Sequence, residues 1–320
     1  MARRRRSHVL VIVTITALLA GILAIALGRP WSSSTSRVEP KHAFSHQPGG
    51  QPGEEDSLRF GFTLDNVTDV RGITTYLQSL PRRPVVRIVF DHGRRASSYA
   101  RAVQAIAPHA DIMGQILDSS AMAKTSTADY LARTREYLNA FADQVLVWEV
   151  GNEVNGEWLG DPKQVRDKVI GAQRLLADAG EQTALTVFYN PNCWWKPEHE
   201  VFRWVEENLP ATVREQIDYA LLSYYESDCK NYRPDSWDPV FDRLAELFPN
   251  SLLAFGEVGL TKPVRADTRD QAQRLMRYYY SVRPEMDRFV GGWFWWYARQ
   301  DLVERPSHLR STFHDILAQG

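Results

Sequence analysis

The sequence predicts an α/β protein built as a (β/α)₈ TIM barrel over residues 58–320, and three observations lead to this prediction. From residue 58 onward, eight short apolar segments alternate with eight amphipathic segments. This alternation is typical of parallel strands joined by crossover helices. The count of eight and the length of about 260 residues both match a barrel. The alternative is an open doubly wound sheet, but the first turn, "FGFTLDN", lacks the Gly-rich pattern expected there.

The elements follow one another in a regular order. Each predicted strand is a short apolar run, and each predicted helix is a longer segment with apolar residues on one face. The strands in order are "LRFGFTL" (58–64), "PVVRIVF" (84–90), "DIMGQIL" (111–117), "QVLVWEV" (144–150), "ALTVFYN" (184–190), "YALLSYY" (219–225), "SLLAFGEV" (251–258) and "FVGGWFWW" (289–296). The helices that follow them lie within 69–80, 98–108, 127–142, 162–180, 198–209, 239–248, 269–282 and 307–319.

The first 57 residues differ from the barrel in composition. Four arginines at positions 3–6 precede "VLVIVTITALLAGILAIAL" (9–27), which contains no charged residue. At about 1.5 Å per residue, a helix of this length spans the hydrocarbon core of a bilayer. The arginines are expected to stay on the cytoplasmic side. The sequence therefore predicts a cytoplasmic basic segment (1–8), a transmembrane signal anchor (9–27) and a disordered linker (28–57) that includes "HQPGGQPGEED".

This N-terminal organisation predicts a single-pass protein whose barrel lies outside the cytoplasm. A cleaved signal peptide is the alternative, because Ala24-Ile25-Ala26 is a small-x-small site. In that case the barrel is secreted. The anchor is favoured, because the apolar run is longer than the roughly 7–15 residues of a signal-peptide core.

Composition excludes some classes of partner. The chain has 320 residues and a net charge of −1, so nothing predicts a nucleic-acid partner. It has two cysteines, Cys193 and Cys229, which either form one disulfide in an oxidising compartment or remain unpaired. No Cys/His spacing indicates a metal site, so neither a metal nor an organic cofactor is expected.

Candidate functional residues follow the ends of the strands, where barrel enzymes place their chemistry. The segment "VLVWEVGNEVNGEW" ends the fourth strand on Asn152 and Glu153. A carboxylate at this position needs a partner, and "FGEVG" supplies Glu257 at the end of the seventh strand. The second strand carries Arg87. The sixth ends on two tyrosines and the eighth on two tryptophans: Tyr224, Tyr225, Trp295 and Trp296.

These strand ends resemble clan A of the glycoside hydrolases, which are retaining (β/α)₈ enzymes. The resemblance covers residue 58 to about residue 319 and consists of five strand-end matches in the right order. Some families of the clan carry a His near strand 3 or strand 6, where this sequence reads "QILDSS" and "SYYESD". No family within the clan is assigned, and the absence of these histidines leaves the detailed substrate unassigned.

The resemblance implies a role for each matched residue. Glu153 becomes the general acid/base and Glu257 the nucleophile of a double displacement. Arg87 keeps Glu257 ionised, and Asn152 binds a sugar hydroxyl. A tyrosine, Tyr224 or Tyr225, donates a hydrogen bond to the nucleophile, and Trp296 forms the floor of the sugar site, with Trp295 as its alternative. A one-residue error in strand register exchanges the members of each pair, so both choices stay open.

The predicted loops are rich in tryptophan. Trp158, Trp194, Trp195 and Trp237 follow strands 4, 5 and 6. Exposed rings there can stack on sugars, and packing within the loops is the alternative for each of them. The two cysteines lie in the loops after strands 5 and 6, where a disulfide would fasten one wall of the cleft.

The resulting expectation is a membrane-anchored retaining glycosidase that cleaves a β-linked poly- or oligosaccharide through a covalent glycosyl-enzyme intermediate. The β linkage follows from the resemblance alone. Two alternatives belong to other classes. One is a non-catalytic carbohydrate-binding barrel at the cell surface. The other is a metal-dependent barrel hydrolase, which the scattered histidines do not favour.

Overall fold

The structure is a computed structural model that describes residues 58–304 and 307–319. The predicted basic segment, signal anchor and linker, residues 1–57, lie outside the described residues. Within the described ranges, none of the helices is long and apolar enough to span a membrane.

Eight parallel strands form one sheet in sequential order. The backbone N–H of Gly292 donates to the carbonyl of Leu58 at 3.2 Å, and that of Thr63 donates to the carbonyl of Trp295 at 2.9 Å. These bonds bring the last strand back to the first, so the sheet forms a nearly closed barrel, as predicted. The strands are β1 Gly61–Leu64, β2 Val85–Val89, β3 Asp111–Gln115, β4 Val145–Gly151, β5 Gln182–Phe188, β6 Tyr219–Tyr224, β7 Leu252–Val258 and β8 Phe289–Gly292.

Helices surround the barrel, and all eight predicted helical segments contain one. The α-helices are α1 Val70–Gln78, α2 Ala100–Ile106, α3 Ser119–Met122, α4 Thr127–Phe141, α5 Pro162–Asp178, α6 Val201–Asn208, α7 Ala211–Arg214, α8 Asp238–Leu247, α9 Arg269–Tyr279 and α10 Arg310–Gln319. Local chemistry sets several starts. Asp161 caps α5 by accepting the N–H of Lys163 at 2.9 Å, and Pro162 occupies the first turn, where its missing N–H costs nothing. The short α3 and α7 were not predicted.

The core has two layers, because successive strand residues point to opposite faces. Residues facing the helices form the larger apolar cluster. Residues facing the barrel axis form a smaller one, which includes Met113, Val147 and Leu221. Two residues further along the same strands, this inner face becomes polar at Gln115, Glu149 and Ser223. An apolar floor therefore lies directly beneath a polar layer at the C-terminal ends of the strands.

The eighth strand is shorter than predicted. The sequence run 289–296 indicates a continuous strand, but β8 ends at Gly292. Gly291 and Gly292, the last residues of β8, have φ angles of 96° and 80°, and Trp293 directly after them has a φ of 56°, so the chain leaves the strand direction at this point. Trp295 then pairs again with the neighbouring strands through bridges to Phe62 and Val258.

Candidate active site

A cavity of about 620 Å³ opens at the C-terminal ends of the strands, within the usual size range of ligand pockets. Glu153 and Glu257 both line it, although 104 positions separate them in the sequence (257 − 153 = 104). The barrel brings them together, because Ser223, which donates a 2.7 Å hydrogen bond to Glu153, is the register partner of Glu257. The two carboxylates thus share one site.

Glu257 is held by three neighbours. Its Oε1 accepts a 2.6 Å hydrogen bond from the hydroxyl of Tyr225, and its Oε2 accepts a 2.8 Å charge-assisted bond from Arg87. The side-chain nitrogen of Asn152 lies 3.4 Å from the same Oε2. These contacts fix the orientation of the carboxylate, as a nucleophile requires.

A register shift in the pairing of β6 with β7 aims Glu257 at the axis. Ala254 faces inward, so strict alternation would place Gly256, not Glu257, on the inner face. The irregularity leaves Gly256 as an extra, unpaired residue on β7, so that Glu257 pairs with the inward-facing Ser223 and itself turns inward. A Cβ at Gly256 would lie 2.7 Å from the Cβ of Leu221, so glycine is required for this close approach.

Arg87 is fully buried and links two carboxylates. Besides Glu257, it donates at 2.9 Å from Nε to Oε2 of Glu149 and at 2.7 Å to the carbonyl of Gly256. The other oxygen of Glu149 accepts a hydrogen bond from Thr186. Sequence reasoning missed Glu149. The signal was available, since a glutamate within the apolar run "VLVWEVG" must be paired when buried.

Glu153 lies in a different environment. It follows β4 in the left-handed region, with φ of 51°, which is uncommon for a non-glycine residue. Its Oε2 accepts a 3.0 Å bond from Ser119, and its Oε1 accepts the bond from Ser223. Both donors are neutral hydroxyls, whereas the donors to Glu257 include a cation. Ser119 and Ser223 were not predicted as site residues, because serines after strands carry no distinctive signal.

The electrostatics of the two carboxylates differ accordingly. Burial, followed by the nearby charge of Glu257, raises the pKa of Glu153 to about 8. Burial also raises the pKa of Glu257, but the charge of Arg87 and the hydrogen bond from Tyr225 oppose that rise. The counter-charge makes Glu257 the member that ionises first. Glu153 retains its proton near neutral pH, which is the arrangement that an acid and a nucleophile need.

Asn152 is buried and lies between the backbone of Ser119 and the carboxylate of Glu257. Its Oδ1 accepts the backbone N–H of Ser119 at 3.3 Å, while Nδ2 points toward Glu257. This position is compatible with the predicted contact to a sugar hydroxyl, which stays a prediction.

The tyrosine choice is resolved in favour of Tyr225. Inner-face residues of β6 are Tyr219, Leu221 and Ser223, and the same period brings Tyr225 into the cavity. Tyr224 was wrong as a substrate-binding residue. It points outward, is fully buried, and donates its hydroxyl to the carbonyl of Tyr232 at 2.5 Å.

The same reasoning separates the strand-8 tryptophans. Trp296 lines the cavity, and the guanidinium of Arg87 lies 5.4 Å from its ring centroid. Trp295 is buried and donates from Nε1 to Asp301 at 2.7 Å. Trp296 is therefore the member of the pair that faces the cavity.

Three of the four loop tryptophans line the cavity: Trp158, Trp194 and Trp195. Trp158 is 45% exposed and Trp195 is 91% exposed. Trp237 instead follows the packing alternative and does not supply a ring to the cavity. Its ring is buried in the outer core, 4.9 Å from the ring of Phe255, and its Nε1 donates to Tyr278 at 3.0 Å.

Cys193 and Cys229 form a disulfide, with their Cα atoms 5.3 Å apart. The bridge joins the loop after β5 to the loop after β6, and Cys193 itself lines the cavity beside Trp194. In the described ranges, no group of three His, Cys, Asp or Glu side chains is arranged to hold a metal ion.

The Arg87 cluster gives a stability prediction. We expect Arg87→Met to lower the free energy of unfolding by about 3–5 kcal/mol at pH 7, because Glu149 and Glu257 lose their buried cation. The measurement is urea denaturation. The exposed ion pair of Arg203 with Glu207 provides a control, and Arg203→Met is expected to keep wild-type stability. A loss of less than about 1 kcal/mol for Arg87→Met would contradict the paired-charge interpretation.

Comparison with known proteins gives structural matches only. No protein-family model matches the chain, and no curated protein matches it. A modular endo-β-1,4-mannanase of glycoside hydrolase family 26 from Cellulomonas fimi has a TM-score of 0.51 and 13% identity, covering 82% of this chain and 71% of its own. A broad-specificity endoglucanase of family 5 (GH5-4) from an uncultured bacterium has a TM-score of 0.50 and 11% identity, covering 86% and 97%.

SrfJ from Salmonella typhimurium is similar to the same extent, with a TM-score of 0.52, 12% identity, and coverage of 82% of this chain and 74% of its own. At such identities the likeness shows the shared fold. Families 26 and 5 both belong to clan A, so the structural neighbours of this chain include clan A (β/α)₈ glycosidases, the group that its strand-end residues resemble.

Proposed function

We propose that the chain is a retaining glycoside hydrolase that cleaves a β-linked glycan by double displacement. The observation that carries the proposal is the pair of buried carboxylates in one cavity, Glu153 bonded to two hydroxyls and Glu257 bonded to Arg87 and Tyr225. The environments of the pair match the two tasks of the reaction, which needs one protonated and one ionised carboxyl group.

In the first step, an oxygen of Glu257 attacks the anomeric carbon. The bond from that carbon to the glycosidic oxygen breaks, and Glu153 gives its proton to the departing oxygen. The products are a covalent glycosyl ester on Glu257 and a free sugar hydroxyl. The bond from Tyr225 and the charge of Arg87 then stabilise the carboxylate again when the ester is broken.

In the second step, Glu153 is ionised and removes a proton from water. The water oxygen attacks the anomeric carbon and displaces Glu257, which restores both carboxyl groups to their starting states. Two inversions at one carbon give net retention. Ser119 and Ser223 hold the Glu153 carboxyl group in place through both steps.

The walls of the cavity suit a carbohydrate. Trp296 provides an indole face beside Arg87 and Glu257, where the sugar under attack must lie. Trp158, Trp194 and Trp195 supply further aromatic surface in the same cavity. We propose Asn152 as the partner of a hydroxyl on the sugar under attack, because its Nδ2 points toward Glu257.

We propose that the substrate is a β-linked polysaccharide outside the cytoplasm, reached by a barrel that residues 9–27 anchor in the membrane. The mannanase and endoglucanase neighbours make β-1,4-mannan and β-glucan the first candidates to test. The anchor can be tested by carbonate extraction of membranes containing the full-length chain. Release into the soluble fraction would favour the secreted form.

Activity is tested by measuring reducing-end release from β-1,4-mannan, β-glucans and xylan with the full-length chain. The control is the double variant Glu153→Ala/Glu257→Ala. Release by the wild type alone supports the proposal. Binding of a polysaccharide by both proteins without release by either would favour the non-catalytic carbohydrate-binding barrel.

A further inference from the structure

We propose that Trp195 forms a rigid subsite for a sugar ring on the leaving-group side of the cavity, and that Glu157 is the positioning residue that holds it there. The proposal rests on the glycosidase function and adds to it. It assigns the wall of the cavity that carries Trp195 to the part of the glycan that departs in the first step.

The first observation is the exposure of Trp195. Its side chain is 91% exposed at the edge of the cavity, although an indole is among the least favourable groups to leave in water. Packing against the residues that the structure describes does not account for the position. An exposed indole face is instead the surface on which the C–H face of a pyranose ring stacks.

The second observation is that the backbone carrying Trp195 is fastened. One oxygen of Glu157 accepts the backbone N–H groups of Trp195 at 2.6 Å and of Lys196 at 2.8 Å. The disulfide from Cys193 to Cys229 fixes the same loop two residues earlier. An exposed side chain on a free loop gains nothing from such fixation, whereas a binding platform does, because less conformational entropy is lost when the sugar binds.

The loop is also tied on its other side. The carbonyl of His199, which is buried, accepts the side-chain nitrogens of Asn155 at 3.2 Å and of Asn190 at 2.8 Å. Asn155 and Glu157 both come from the segment that follows Glu153. The loop that carries Trp195 is therefore held by residues of the segment that directly follows Glu153.

The third observation indicates on which side of the cleaved bond Trp195 lies. Trp158 is next to Glu157 in a short 3₁₀ helix, Glu157–Leu159, and its Nε1 donates to Oγ of Ser119 at 3.0 Å. The same Oγ donates to Glu153. This wall thus adjoins the residue that protonates the departing oxygen, while Trp296 adjoins the nucleophile. A ring on Trp195 belongs to the departing chain.

The subsite has a measurable consequence for the products. We expect Trp195→Ala to raise KM for the polysaccharide identified in the activity screen by about tenfold. This increase in KM relative to the wild type is expected to become smaller as oligosaccharide substrates are shortened from the reducing end. With an oligosaccharide labelled at the reducing end, the variant should move the main cleavage point toward that end, because fewer units are held on the leaving-group side.

A matched control is available in Tyr232, which is 47% exposed and is not among the residues lining the cavity. Tyr232→Ala is expected to keep the wild-type KM and cleavage pattern. Should Trp195→Ala leave the cleavage pattern unmoved in an enzyme that degrades the polysaccharide, the subsite is refuted while the glycosidase function stands. Absence of hydrolysis by the wild type would instead refute the function.

Glu157 is tested by comparing two substitutions. Glu157→Ala removes the oxygen that accepts both N–H groups, so its KM and cleavage pattern should shift in the same direction as those of Trp195→Ala. Glu157→Gln keeps an oxygen acceptor and should restore most of the wild-type pattern. Equal defects in both variants, or a defect in kcat without a change of pattern, would refute the positioning role.

Discussion

Glu257→Ala is expected to lower hydrolysis of glycans by at least about 10⁴-fold, a loss in the range that follows removal of a catalytic nucleophile. The carboxylate that forms the bond to the anomeric carbon is absent, while the general acid remains. The structure gives the reason for choosing this residue. Glu257 is bonded to the cation Arg87 and to Tyr225, so it is the carboxylate of the pair that can remain ionised.

Rescue of the Glu257→Ala variant by added azide is a more specific test of this first prediction. A small anion can enter the space left by the Glu257 side chain and attack the anomeric carbon from the same face. Activity on a substrate with a good leaving group should return, and the glycosyl azide should have inverted configuration. Glu226→Ala is the control, because Glu226 pairs with Arg233 at 2.6 Å and is not among the cavity-lining residues. Wild-type turnover by Glu257→Ala would exclude Glu257 as the nucleophile.

The second large effect is expected at Glu153. Glu153→Ala should slow hydrolysis of natural glycans by about 10²–10⁴-fold, the usual contribution of general acid catalysis. Aryl glycosides whose phenol leaves without a proton should form the glycosyl-enzyme at nearly the wild-type rate. Here azide should accelerate the second step and give a product of retained configuration, the opposite of the outcome for Glu257→Ala.

Glu153 is also expected to set the pH dependence of the reaction. Its carboxyl group must be protonated to act, and burial beside the charge of Glu257 raises its pKa to about 8. The protonated fraction falls as the pH rises through that value, so kcat/KM should decline above about pH 8. Glu153→Gln should remove this basic limb when an activated substrate is used. A basic limb that stays in place in Glu153→Gln would assign it to another group.

Much of the barrel was predictable from sequence, because the spacing of apolar residues indicates whether a strand or helix is buried on one face or on both. All eight predicted strands overlap an observed strand. The error at β8 has a physical cause. Apolar composition continues to Trp296, but backbone direction is set by Gly291 and Gly292, whose positive φ angles composition does not encode.

The pair of carboxylates that share the cavity, Glu153 and Glu257, was predictable because chemistry restricts strand ends to a few residue types. Residues that act through others were harder to find. Ser119 and Ser223 are ordinary serines until the fold brings them to Glu153. The errors about which face of a strand a side chain occupies came from uncertainty in the strand register. Counting by two from Leu221 selects Tyr225 over Tyr224, whereas Trp237 could be assigned to the core only from its contacts in the folded structure.

The most direct measurement is the identification of the residue that becomes glycosylated. A 2-deoxy-2-fluoro glycoside of the sugar found in the activity screen slows the second step, so that the covalent intermediate accumulates and can be mapped by peptide mass spectrometry. The account predicts one sugar per chain, attached to the peptide that contains Glu257, and a first product of retained configuration by NMR. Attachment to any other residue, or an inverted first product, would contradict it.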